Sequence, residues 1–103
     1  MTEIRVSLDA KETDLVGQWF REGGRVKADA TCLRIDRLVS GVLERLGKSP
    51  DGWETLYRDP ADGRLWEHTY PNGGLHGGGP PRLKVIEWGD AVSKYPQPWG
   101  ELA

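Results

Sequence analysis

The chain has one cysteine, one methionine, one phenylalanine and two histidines among 103 residues. A lone Cys32 excludes an internal disulfide and fits a reducing compartment. Cys32, His68 and His76 share no ligand spacing of the finger or ribbon type, so neither a metal site nor another cofactor is expected. No apolar run approaches the roughly 20 residues that span a bilayer, so no membrane partner is expected. The opening residues MTEIRVSLDAKETD have neither the basic start nor the apolar core of a signal peptide, and a cytoplasmic location follows as the expectation. Net charge is only -2, too small to steer the whole chain toward one kind of partner.

What is there describes a folded globule. Charged residues make up 29% and apolar residues 37%, and five tryptophans supply bulky core material. The length suits one domain over residues 1–103 with one modest core. Charge is uneven along it. Asp51, Glu54, Asp59, Asp62 and Glu67 face only Arg58 and Arg64 in one short segment. Such a segment either attracts a basic partner or is a solvated hairpin edge.

Ile4-Arg5-Val6-Ser7-Leu8 alternates and reads as a strand. Leu15 to Phe20 is a second apolar run, and Glu22-Gly23-Gly24 turns it back through Arg25-Val26-Lys27. Asp29 suits the N-cap of a helix. Ile35, Leu38, Val39, Val42 and Leu46 then form one helical stripe, with Cys32 and Leu43 at its edge, Gly41 inside and Gly47 as the C-terminal stop. Ser49-Pro50-Asp51-Gly52 has type I turn chemistry. Trp53–Arg58 and Arg64–Tyr70 form a hairpin around Asp59-Pro60-Ala61-Asp62-Gly63, in a register that sets Tyr57 opposite Trp66. One face then carries Trp53, Thr55, Tyr57, Trp66, His68 and Tyr70, and is the core candidate. The other carries Glu54, Leu56, Arg58, Leu65, Glu67 and Thr69, and is expected to meet water. Arg82–Trp88 is a last strand. Asp90 caps a short helix through Tyr95, Pro96 and Pro98 end it, and the tail is loosely held. This order predicts an α+β fold, a small antiparallel sheet with one main helix on one face and a short C-terminal helix.

His76-Gly77-Gly78-Gly79-Pro80-Pro81 invites an active-site reading, because His-Gly-Gly-Gly resembles the oxyanion loop of esterases. That chemistry needs a G-x-S-x-G nucleophile, which is missing, so a small hydrolase using His76 is the lesser alternative. No G-K-[ST] follows the glycines, and two prolines remove donors that a phosphate would need. The glycines are better read as a tight crossing stiffened by Pro80 and Pro81. Cys32 is a packed thiol and His68 a partly buried, hydrogen-bonded histidine. Asp59 and Asp62 suit turn capping as well as contact with a partner. Arg34, Arg37, Arg45 and Lys48 make a basic helix face too interleaved with acids for nucleic acid.

The ordered run Gly52-Trp53-Glu54-Thr55-Leu56-Tyr57-Arg58-Asp59-Pro60, Asp62-Gly63-Arg64, Trp66-Glu67, Thr69-Tyr70-Pro71 and His76-Gly77-Gly78-Gly79-Pro80-Pro81-Arg82-Leu83 resembles the immunity protein 27 family of bacterial polymorphic toxin systems. Leu15-Val16-Gly17-Gln18-Trp19, Ala28-Asp29 and Arg34-Ile35 extend the resemblance, which covers about residues 15–95. One departure is His68, where the resemblance leads one to expect an apolar residue. The resemblance implies a non-enzymatic antitoxin that binds a cognate toxin domain. Glu54, Asp59, Asp62 and Glu67 are the expected toxin-binding residues, meeting a basic cleft such as a nuclease's, with His76 beside them. Trp53, Tyr57, Pro60, Gly63, Trp66, Tyr70, Gly77–Gly79, Pro80 and Pro81 are expected to shape the fold. A general interaction domain unrelated to toxins is the other alternative.

Overall fold

Antiparallel pairing organises the chain. The computed structural model describes residues 6–72, 79–96 and 99–101. Its strands are β1 (Asp14–Val16), β2 (Trp19–Glu22), β3 (Arg25–Ala28), β4 (Glu44–Lys48), β5 (Thr55–Arg58), β6 (Leu65–Thr69) and β7 (Arg82–Val85). The helices are α1 (Ala30–Gly41) and α2 (Trp88–Lys94), with a 3-10 turn over Trp99–Glu101. Five strands form one sheet in the order β1-β7-β6-β5-β4, and β2 and β3 form a separate hairpin. All pairs are antiparallel, so the fold is α+β as expected.

Local chemistry sets several elements. The Asp29 carboxylate accepts from the Cys32 backbone N–H at 2.9 Å and starts α1. In the β5–β6 turn the Asp59 N–H donates to the Arg64 carbonyl at 2.9 Å, and Gly63 closes the loop at φ 78°. Tyr57 lies opposite Trp66, as the loop length predicts. Gly52 takes φ 79° in the preceding turn, where its N–H meets the Ser49 carbonyl at 2.9 Å.

Two hydrophobic clusters sandwich the sheet. Between α1 and the sheet lie Leu15, Ile35, Leu38, Leu43, Tyr57, Trp66 and Leu83. On the opposite face Leu56 and Leu65 pack with Ala91, Tyr95 and Trp99. Adjacent residues on a strand point to opposite faces. Buried neighbours such as Leu56-Tyr57 and Leu65-Trp66 therefore require cover on both sides.

Several expectations are corrected. Val6, Ser7 and Leu8 are not a strand, and Ile4 and Arg5 lie outside the described residues. The segment over residues 7–12 is instead held by arginines. Arg34 donates to both Glu12 carboxylate oxygens at 2.6 and 2.7 Å, and Arg64 donates to the Glu12 and Asp9 carbonyls at 2.6 and 3.0 Å. Helix α1 stops at Gly41, and Glu44–Lys48 becomes strand β4. The supposed basic helix face is therefore split, since Arg45 and Lys48 lie on that strand. Pairing with β5 overrides the helical stripe there, and a bulge between Arg45 and Gly47 lets Leu46 pack into the second cluster. Gly47 is thus a strand residue and not a helix stop. The face carrying Leu56 and Leu65 is not a wet face, because α2 and Trp99 cover that part. Asp90 lies within the first turn of α2, whose N-cap is Glu87. The tail is not loose at Trp99, which is 2% exposed and donates its indole N–H to the Tyr95 carbonyl at 3.1 Å.

Candidate functional site

The second layer covers only part of its face of the sheet. Residue alternation puts Glu67 and Thr69 of β6 beside Lys84 and Arg82 of β7 on this face, beyond Leu56 and Leu65. An open cleft of about 600 Å³ lies here, lined by Glu54, Glu67, Thr69, Arg82 and Lys84, with Asp51, Trp53, Tyr70 and Pro71. A second depression shares Glu67 and Lys84 and runs toward Glu87, Asp90 and Lys94.

The cleft has a charged floor and an aromatic rim. Lys94 reaches across from α2 to Glu54 at 2.9 Å and Glu67 at 2.6 Å. Glu67 also accepts from the Tyr95 hydroxyl at 2.8 Å, and burial together with that carboxylate pushes the Tyr95 pKa up. Burial pulls Lys94 down, but hydrogen bonds to Glu67 and Glu54 and their charges outweigh it and hold the ammonium above its ordinary value. Arg82 grips Asp14 through two nitrogens at 2.9 and 2.6 Å, and this contact lowers the Asp14 pKa. Asp51 accepts from the Ser49 hydroxyl at 2.6 Å and the Trp53 N–H at 3.0 Å. The Trp53 and Tyr70 rings meet edge to face at 6.4 Å, and Trp53 is 58% exposed.

The expected partner-binding acids separate here. Glu54 and Glu67 share the cleft. Asp62 lies outside it and pairs with Arg64 at 2.6 Å. Asp59 is 3% exposed, and its carboxylate accepts from the Ala61 N–H at 2.9 Å, so it holds the turn. His76, Gly77 and Gly78 lie outside the described residues. Gly79 takes φ 76°, and a Cβ there would sit 2.8 Å from the Asn72 carbonyl, which fits a crossing that requires glycine. Trp53 and Tyr70, placed in the core from sequence, lie instead on the rim. Arg82 and Lys84 were missed as cleft residues. The alternation in Arg82-Leu83-Lys84-Val85 was their signal, since it puts both cations opposite buried Leu83.

The remaining polar candidates are structural. Cys32 is buried, its thiol lies 3.4 Å from the Gln18 carbonyl, and burial raises its pKa. His68 is partly buried as expected but not hydrogen-bonded at Nε2, which has no partner among the described residues. Its ring lies 5.1 Å from Tyr70 and 6.3 Å from Tyr57, and burial lowers its pKa against the opposing charge of Asp36. Among the described residues no three His, Cys, Asp or Glu side chains converge as a metal set. No helix among them is long and apolar enough to cross a membrane. Two carboxylates sharing one ammonium, beside exposed rings, make a surface suited to binding another protein.

A family model described as Immunity protein 27 matches residues 21–87, which include most of the cleft. The chain belongs to the immunity protein 27 family. Comparison with curated proteins and with solved structures returned no match. The matched span runs from β2 through β7, so the family pattern includes α1 and the strands that carry Glu67, Arg82 and Lys84.

Proposed function

We propose that this chain neutralises a cognate toxin domain by binding it, without catalysis of its own, through the open half of the sheet. The chain acts as one domain in the cytoplasm of the producing cell. Family membership carries the antitoxin reading. The observation that carries the choice of surface is Trp53, 58% exposed at the rim of a cleft. Large aromatic residues beside partly desolvated charges are the usual anchors of protein interfaces, and beyond its edge contact with Tyr70 the Trp53 ring stands open.

The acidic side of the cleft suits a basic group of the toxin. Glu54, Glu67 and Asp51 stand there with Lys94 between the two glutamates, while Arg82, held by Asp14, and Lys84 line the β7 side. A nuclease fits, because its substrate is anionic and its cleft correspondingly basic. Glu54 and Glu67 would act as a pair preset by Lys94, which lowers the entropy lost on docking. Co-expression with the product of the neighbouring gene, as the toxin candidate, tests the reading. Restored growth and co-purification are the expected result; continued toxicity with no complex recovered contradicts it.

A further inference from the structure

The β2–β3 hairpin contributes no residue to either hydrophobic cluster. All eight of its residues are exposed, on both faces. Trp19, Phe20 and Val26 among them are 38%, 42% and 54% exposed. A two-stranded ribbon gains little stability by itself, and apolar groups clustered in the open mark contact surfaces. The hairpin is nonetheless well formed. Gly23 and Gly24 take φ 59° and 78°, the paired positive values of a tight turn matched to strand twist. At the base the Asp29 N–H donates to the Gln18 carbonyl at 3.0 Å. Such an arm is preorganised, which reduces the entropy lost on binding.

Its charge says what it meets. Arg21, Arg25 and Lys27 stand against Glu22 alone, and Glu22 pairs with Lys27 at 3.2 Å. Arg21 and Arg25 have no ion pair among the described residues. The hairpin is therefore net positive on a chain that is net negative. Register places Trp19, Arg21, Val26 and Ala28 on one face, an apolar strip with a cation within it. Two arms packed face to face would bring like charges together, which disfavours self-association arm to arm. Nucleic acid would meet only two free cations on an acidic protein, too few for tight binding.

We infer that the β2–β3 hairpin is a docking arm for an acidic, apolar-flanked segment of a protein partner. The arm shares no residue with the cleft and adds a second point of grip to the antitoxin reading, on which its use against the toxin rests. Two variants test it, Trp19→Ala with Phe20→Ala, and Arg21→Glu with Arg25→Glu. Both alter exposed side chains, and unchanged melting temperatures verify their folding. Calorimetric titration of an alternating Glu-Leu peptide is expected to show salt-sensitive binding to the wild-type chain, weakened about tenfold or more in each variant. Undiminished binding by both variants, or preference for oligothymidylate over the peptide, overturns the inference. Against the toxin domain the same losses are expected. A toxin that binds both variants as tightly as wild type overturns the arm's part in neutralisation and leaves the antitoxin reading standing. A toxin that the wild-type chain does not bind overturns the antitoxin reading, and the peptide titration then decides the arm alone.

Discussion

Replacing His68 with leucine should stabilise the protein and remove part of its pH dependence. The imidazole lies on β6 between Tyr57 and Tyr70, with a buried Nε2 that has no partner among the described residues. An unsatisfied buried polar atom costs about 1–3 kcal/mol. Leucine removes that cost and forfeits ring contacts worth about 0.5–1.5 kcal/mol. The net expectation is a gain of about 1 kcal/mol at neutral pH. Burial sets the His68 pKa below the ordinary 6.5, with the Asp36 charge opposing it. The unfolded chain therefore takes up the proton first as pH falls. Stability from this site is complete above 6.5 and declines as pH drops through 6.5 toward the lower folded value. The decline is at most about 1.4 kcal/mol per pH unit. Urea denaturation followed by tryptophan fluorescence, on both sides of that pH, measures both effects. His68→Leu should be the more stable form and lack this decline. A variant less stable than wild type, with the wild-type profile flat through the same range, would refute the reasoning.

Three further outcomes follow from the packing. Trp99→Ala should lose about 3–5 kcal/mol in urea denaturation, because Trp99 is buried within the second cluster; a loss under about 1 kcal/mol would restore the picture of a loose tail. Gly17→Ala places a Cβ 2.6 Å from the Cys32 sulfur and 2.7 Å from the Pro81 carbonyl, so overpacking should lower stability by about 1–3 kcal/mol in the same assay. Lys94→Met leaves Glu67 without its ammonium and should cost about 1–2 kcal/mol near neutral pH. The Lys94 contribution persists below its ordinary 10.5 and fades as pH rises through the higher folded value, so the variant's deficit should shrink in alkaline denaturation profiles.

Elements with local chemistry were readable from residue order. Asp29 capping α1, Gly63 closing the β5–β6 turn and Tyr57 opposite Trp66 depend on near neighbours and on loop length. Elements decided by tertiary contact were not. Leu46 continues the stripe of α1 at helical spacing, yet β5 offers Glu44–Lys48 a strand to pair with, and the ladder wins. Leu56 and Leu65 looked like apolar exceptions on a wet face. They are buried because Tyr95 and Trp99 return from far along the chain, and no period within the hairpin reports that. The same return brings Lys94 to Glu54 and Glu67, so half of the expected acidic surface is already bridged. Asp59 was legible as a turn residue, and its burial and its bond from the Ala61 N–H fit that role. The cleft itself follows from how far α2 reaches across the sheet, which is a matter of layer size and not of motif.

The affinity of Trp53→Ala for the cognate toxin domain, measured by calorimetry beside wild type, tests the proposed surface most directly. Trp53 is exposed at the rim, so the substitution should leave the melting temperature unchanged. The account predicts a loss of about 2 kcal/mol or more, roughly 30-fold in Kd. Wild-type affinity in a folded Trp53→Ala protein would contradict it and move the neutralising surface away from the open half of the sheet.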